Sequence, residues 1–375
     1  MSDGPGEVRR GLDGVVADTT AVSVVDEGSG SLLYRGYPVP DLAASRSFEE
    51  VAYLIWYGEL PDAGQLAEFA ASERESREVP EDLLGALSRL PITCHPMDVL
   101  RTAVSFLGAQ APVEGENDLE RSIDLWAKLP TVVAAEQRRR RGLKPVAPDK
   151  SLSFADNFFH MCNGSAPDAD VARAFEVSLI LYAEHGFNAS TFTARVITST
   201  GSDIYSAVTG AIGALKGPLH GGANEAVMAL FEKVKDPSEV GAWLAGELGA
   251  RHKVMGFGHR VYKHGDSRVP TMRATLANLA SRSPEGTALM EVYEGLEEAM
   301  LQSKGLYPNL DYPSGPAYFL MGFDIPTFTP IFVMSRVTGW TAHIIEQKAN
   351  NALIRPLSTY VGQPLRPVPP RPAGK

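Results

Sequence analysis

Cysteine is nearly absent from this chain of 375 residues, with Cys94 and Cys162 the two present. Two widely spaced thiols cannot form a disulfide framework or a cysteine-rich metal site, which points to a reducing, cytoplasmic setting. No apolar run reaches the roughly 18 residues that a membrane-spanning helix needs. The first residues, Met1 to Gly6, lack the basic stretch and apolar core of a secretory signal. Positive charge is also in deficit. A net charge of -10 argues against a nucleic-acid-binding surface. Several catalytic signatures are missing as well: a His-Glu-x-x-His metal motif, a phosphate-binding loop ending in Gly-Lys-Ser/Thr, and a Gly-x-Ser-x-Gly nucleophile elbow. No series of alternating strands and helices is visible, which argues against a doubly wound nucleotide-binding sheet and with it an NAD-dependent dehydrogenase.

What is present has ordinary globular composition, 44% hydrophobic and 21% charged. Strand character is confined to residues 17 to 37. There Val22, Val24 and Val25 lead through the glycine-rich Glu27–Gly30 to Leu32, Leu33 and Tyr34, which predicts a small N-terminal β-hairpin. The rest reads as helix. Val240, Trp243, Leu244 and Leu248 repeat at helical spacing, as do Leu289, Val292, Tyr293, Leu296 and Met300. Phe175 to Tyr182 is apolar nearly all round, as in a helix buried on several sides. The fold class is therefore mainly α. Residues 112 to 120 and 142 to 151 read as surface loops, Gly217–Gly222 and Gly305–Gly315 as strong breakers, and the proline-rich Gln363–Lys375 as an extended tail.

Candidate chemistry gathers in three breaker-rich segments. In Gly217-Pro218-Leu219-His220-Gly221-Gly222, a histidine sits beside glycines at the start of a helix running through Val227 and Leu230. Backbone N–H groups there favour negative charge and would keep the imidazole neutral, able to donate to a developing enolate. A turn-capping histidine is the plainer alternative. In Lys253-Val254-Met255-Gly256-Phe257-Gly258-His259-Arg260-Val261-Tyr262-Lys263, with Arg268 beyond, a glycine-flanked histidine among cations suits an anionic substrate. A solvated basic loop fits the same residues. In Tyr307-Pro308-Asn309-Leu310-Asp311-Tyr312-Pro313, the aspartate lies in a rigid turn where desolvation would raise its pKa toward that of a useful base. Aspartate is also a common turn former.

Other charged residues divide less sharply. His95, His160, His252, His264 and His343 read as structural or solvated, whereas His185, before Gly186-Phe187-Asn188, shares the polar, glycine-bearing context of the first segment. Arg336 and Arg355 stand in apolar surroundings, where an arginine pairs with a buried acid or grips a carboxylate. The run Arg138–Arg141 admits two readings, a solvated helix end before Gly142 or a contact for a phosphate-bearing ligand.

Taken in order, Leu219–Glu225, Met255–Lys263 and Pro308–Gly315 resemble the citrate synthase superfamily, and the likeness runs from Gly11 to Arg355. It implies a mostly helical homodimer. The large helical domain would comprise residues 1–221 and 333–375, with a small helical domain inserted at 222–332. It also implies roles. Asp311 would remove the α-proton of an acyl thioester, His220 would stabilise the enolate, and His259 would polarise the ketone of oxaloacetate. His185, Arg268 and Arg336 match positions that bind the oxaloacetate carboxylates, and Arg355 one that reaches the other subunit's site. Lys253, Val254, Met255, Gly256 and Phe257 match a run that meets CoA, with Asn309 near the thioester. No metal or other cofactor is implied, since the CoA thioester is a substrate. The stretches Phe328–Val333, Thr338–His343, Glu346-Gln347, Ile354–Pro356 and Cys94–Asp98 look like the branch that makes 2-methylcitrate. Propionyl-CoA is thus the expected substrate, with acetyl-CoA secondary. The alternatives are an enzyme preferring acetyl-CoA and, more remotely, a non-catalytic sensor of the same ligands. The margin is narrow because one methylene is worth only about 1–3 kcal/mol in a pocket.

Overall fold

The computed structural model describes residues 8–26, 30–112, 117–262 and 265–371. The hairpin turn expected at Glu27–Ser29, together with Lys263 and His264, lies outside them. The strands are Ser23–Val25, Leu32–Tyr34 and Tyr37–Pro38, joined as one antiparallel sheet in that order. The expected hairpin is therefore extended by a third strand. Its connection is the two-residue turn Arg35-Gly36, and both residues take positive φ, 49° and 91°. That is the handedness that folds a tight hairpin back on itself, and glycine at the second position makes it accessible.

Helices account for the remaining regular structure, and their starts are written locally. Ser47 with Glu50, Asp62 with Gln65, and Asn117 with Glu120 each form a reciprocal capping box, satisfying backbone donors that would otherwise be orphaned. Gly58, Gly164 and Gly305 end helices in the left-handed conformation. The loop expected at 112–120 is shorter than predicted, because Asn117 already caps the Asp118–Arg140 helix.

The core is built around Phe328–Ala349, a helix of 22 residues buried on every face from Phe328 to Ile344. It packs against Asp118–Arg140, Ala169–Tyr182, Ala189–Ser199 and Ile204–Leu215. The Ala169–Tyr182 helix is buried from Phe175 to Tyr182 at every position but the half-buried Glu176, as its composition predicts. A second set of helices, Ala223–Phe231, Val240–Gly249, Val269–Ala280, Pro284–Lys304 and Asp311–Leu320, packs mainly within itself. It meets the first where Val269–Ala280 lies on Ala169–Tyr182 and Ala223–Phe231 touches Phe328–Ala349. Past Ala349 the chain carries no helix or strand through residue 371 and is exposed apart from the half-buried Ile354. The breaker run at 305–315 ends earlier than expected: Asp311 does not sit in a turn but opens the Asp311–Leu320 helix.

Candidate active site

Between the two sets of helices lies a cleft of about 1540 Å³. His185, His220, Lys253, Val254, Met255, Gly256, Phe257, His259, Arg268, Asn309, Asp311 and Arg336 all line it. Arg355 does not. It is exposed on the extended segment that follows the central helix.

The second and third sequence segments are tied together by main-chain bonds. Gly258 N–H donates to the Tyr307 carbonyl at 2.8 Å, and Asn309 N–H to the Gly256 carbonyl at 2.8 Å. The Asn309 side chain adds a bond to the Gly258 carbonyl at 3.0 Å. This approach requires glycine at 256. Its φ is 89°, and a Cβ there would stand 2.7 Å from Val227 and 2.9 Å from the Tyr312 ring.

Asp311 occupies the first turn of its helix, where the unsatisfied N–H groups favour an anion. Its backbone N–H donates to Asn309 Oδ1 at 3.1 Å, and its Oδ1 accepts the Tyr182 hydroxyl at 2.7 Å. Burial raises its pKa to about 6, opposed by the Tyr182 bond and by Arg268. The group is thus an ionised but only weakly solvated carboxylate at neutral pH.

Both flanking histidines are neutral. Burial, then the charge of Arg336, lowers His220 to about 4. Burial and Arg268 lower His259 to about 4. The hydrogen bonds assign their protons. His220 Nε2 accepts the Ser190 N–H at 3.3 Å and lies 2.8 Å from Ser190 Oγ, which puts the proton on Nδ1. His259 Nδ1 accepts the N–H groups of Val261 at 3.1 Å and Tyr262 at 3.4 Å, which puts the proton on Nε2. Each imidazole therefore keeps one N–H to give. His185, whose ring centre is 5.0 Å from that of His259, is driven well below its usual pKa by burial and by Arg268.

The two buried arginines differ in their partners. Arg268 makes a two-pronged pair with Asp266, at 2.9 and 2.7 Å, and this pair outweighs burial to hold its pKa up. Arg336 makes no ion pair among the described residues. Its Nε donates to the Tyr182 carbonyl at 2.7 Å, and its guanidinium lies over the Phe332 ring at 4.7 Å. Burial lowers it to about 10, so it stays charged at neutral pH. A buried cation without a carboxylate, facing a cleft, is a receptor for an anionic group.

The plainer readings hold elsewhere. His95 caps the Pro96–Gln110 helix and pairs with Glu225 at 3.0 Å. His343 is fully buried against Glu184 at 2.8 Å, and His252 pairs with Glu247 at the surface. The basic run ends the Asp118–Arg140 helix, as expected, but is tethered instead of solvated. Arg139 and Arg140 both bind Glu136, Arg141 binds Asp324, and Arg138 donates to the carbonyls of Lys144 and Cys162. None of the four lines the cleft, and their bonds favour the helix-end reading.

Tyr182, Ser190, Asp266 and Phe332 take part in the site without having been legible as functional. Only Asp266 carried a local signal, two residues before Arg268 and bonded to it. Chemically, the cleft offers a base, two neutral N–H donors and an unpaired cation. That set can take a proton from a carbon acid, polarise a carbonyl and hold a carboxylate.

Residues 11–357 match the family described as citrate synthase, C-terminal domain. A 2-methylcitrate synthase of Mycobacterium tuberculosis strain Erdman is 58% identical over 97% of this chain and 93% of its own length. A citrate synthase of Mycolicibacterium smegmatis is 57% identical over 96% of each. Among solved structures, a ternary complex of Thermoplasma acidophilum citrate synthase with carboxymethyl-CoA and oxaloacetate superimposes with a TM-score of 0.93. It is 34% identical, covering 97% of this chain and 98% of that one.

Proposed function

This chain belongs to the citrate synthase family, and from that premise we propose that it is a 2-methylcitrate synthase. It condenses propionyl-CoA with oxaloacetate and, with one water, releases 2-methylcitrate and CoA. The observation that carries this reading is the convergence of Asp311, His220 and His259 on one cleft beside the unpaired Arg336.

Asp311 removes the α-proton of the thioester. Its pKa near 6 leaves it ionised at neutral pH yet close enough to that pH to be an effective base. Charge then develops on the thioester oxygen, where Nδ1–H of His220 donates. A neutral donor suits this task because its own proton is not lost beforehand. Nε2–H of His259 polarises the ketone of oxaloacetate as the new carbon–carbon bond forms. Arg336, Arg268 and His185 hold the oxaloacetate carboxylates, with Arg355 of the partner subunit completing the site in a homodimer. The exposed apolar residues of the extended arm, Leu353, Leu357 and Tyr360 among them, support such an assembly. Lys253–Phe257 and Asn309 receive CoA. In this reading the second set of helices forms an inserted domain, residues 222–332, over the substrate. The protein works in the cytoplasm and needs no metal.

The nearly equal identity to a relative named citrate synthase favours acetyl-CoA as a second substrate. Thiol release followed with oxaloacetate and each acyl-CoA in turn is the test. The expectation is a higher kcat/KM for propionyl-CoA; an advantage of about tenfold or more for acetyl-CoA would reverse the assignment. Oxaloacetate binding with no turnover of either thioester would make the protein a sensor.

A further inference from the structure

Tyr182 joins the two halves of the site through different atoms. Its hydroxyl donates to Asp311 Oδ1 at 2.7 Å, across 129 positions of sequence. Its backbone carbonyl accepts Arg336 Nε at 2.7 Å. Its ring centre lies 4.2 Å from that of Phe332, over which the Arg336 guanidinium rests. The phenol is wholly buried at the last turn of the Ala169–Tyr182 helix, whose second half lies in the core. We propose that Tyr182 is a positioning residue for the condensation: its hydroxyl occupies one oxygen of Asp311, so that the other is the one presented to the α-carbon. The proposal rests on the function assigned above.

The argument is geometric first. A carboxylate at the start of a helix can rotate about its χ2 torsion, which is broad and unselective. The Asn309 contact restrains only the Asp311 backbone. The Tyr182 hydroxyl restrains the carboxylate itself, and it is anchored on a different element. Oδ1 is thereby committed to a donor, and Oδ2 is left as the basic oxygen. The phenol also remains a donor throughout the working range, because burial and the Asp311 charge keep its pKa well above 10.

The charged groups around Asp311 define what removal of this bond would do. Arg268, ahead of the Val269–Ala280 helix, and Arg336, on the central helix, favour the carboxylate. Asp266, and burial above all, oppose it. Tyr318, on Asp311's own helix, senses the same charge. The three cleft histidines are neutral. The Tyr182 bond is the strongest of the influences favouring the ionised form. Its loss therefore moves Asp311 toward the protonated state, in which it cannot act as base.

Tyr182→Phe is the test, since it keeps the ring on Phe332 and the carbonyl on Arg336. The acid limb of kcat/KM for the acyl-CoA should move up by about one pH unit. At neutral pH kcat should fall about tenfold or more, with KM for oxaloacetate changed less than about twofold. A loss of kcat with an unshifted acid limb would mean a structural role and overturn the proposal. So would a rise in oxaloacetate KM that accounts for the whole defect. Tyr182→Leu, which removes ring and hydroxyl together, separates the two contributions: if positioning is right, its acid limb matches that of Tyr182→Phe. A parent protein that turns over no acyl-CoA would overturn the assigned function itself, whereas an active parent with an unshifted variant overturns only the role of Tyr182.

Discussion

Replacing Arg336 by methionine should separate ligand binding from stability. In the free protein this guanidinium is wholly buried, bonded through Nε to the Tyr182 carbonyl, with no carboxylate partner among the described residues. Methionine has comparable length and fills irregular space well. The free variant therefore loses one hydrogen bond to a carbonyl, about 1 kcal/mol, and sheds a buried charge whose desolvation opposed folding. These effects offset one another, so its stability should stay within about 1 kcal/mol of the parent's. Binding is different. In the proposed reaction oxaloacetate supplies the missing carboxylate, and breaking a desolvated, hydrogen-bonded charge pair costs about 3–5 kcal/mol. At about 1.4 kcal/mol per tenfold, kcat/KM for oxaloacetate should drop by two to four orders of magnitude. The assay pairs steady-state kinetics at saturating propionyl-CoA with thermal unfolding, with and without oxaloacetate. Ligand at 100 times Kd should stabilise the parent by about 2.7 kcal/mol and leave the variant almost unmoved. A variant that keeps the parent's oxaloacetate KM would refute the reasoning.

Asp311→Ala should nearly abolish turnover while thermal stabilisation by oxaloacetate persists; full activity would remove Asp311 from the chemistry. In the parent, kcat/KM for the acyl-CoA should fall about tenfold per unit below a pH near 6, because Asp311 must be ionised to accept the proton. His220 and His259, both near 4, should add no limb above pH 5; a midpoint near 7 would point to another base. Asp311→Asn and Arg355→Ala proteins, each weak alone, should regain activity when unfolded and refolded together. One site of the mixed dimer then holds both native residues, and failure to complement would place Arg355 outside the partner's site. Gly339→Ala should destabilise by about 1–3 kcal/mol in denaturant titrations, since a Cβ would stand 2.6 Å from the Ala183 carbonyl in the centre of the core. Prolonged incubation with a chelator should leave turnover unchanged; loss of activity restored by a divalent ion would contradict the metal-free reading.

The parts of the site that were legible in sequence are those whose chemistry needs an unusual backbone. Gly256 and Gly258 take positive φ so that one loop can lie against another, and Gly221 packs where a Cβ would meet Leu215 at 2.5 Å. Such positions announce themselves as clustered breakers around a histidine or an aspartate. Tyr182 and Ser190 were silent for the opposite reason: each is an ordinary residue of a helix, and its role arises from a neighbour far away in the chain. Ser190 meets His220 across 30 positions, and Tyr182 meets Asp311 across 129. In sequence Asp311 reads as a turn residue because Pro308 and Pro313 bracket it. Proline is well tolerated in a first helical turn, so the same residues also start a helix. The third strand was hidden for want of length, with only Tyr37 and Pro38 to signal it.

The helix Phe328–Ala349 is enclosed by its neighbours from Phe328 to Ile344, and this enclosure sets a timescale. Amide protons from the second turn through Ile344 have no route to solvent through local fraying, so they should exchange with deuterium only when the whole protein opens. Arg336 rides on this enclosed segment, whereas His220 and His259 hang from glycine-bracketed turns. Whatever the turns do during the proposed catalytic cycle, the arginine assigned to the oxaloacetate carboxylate stays on the rigid side of the cleft.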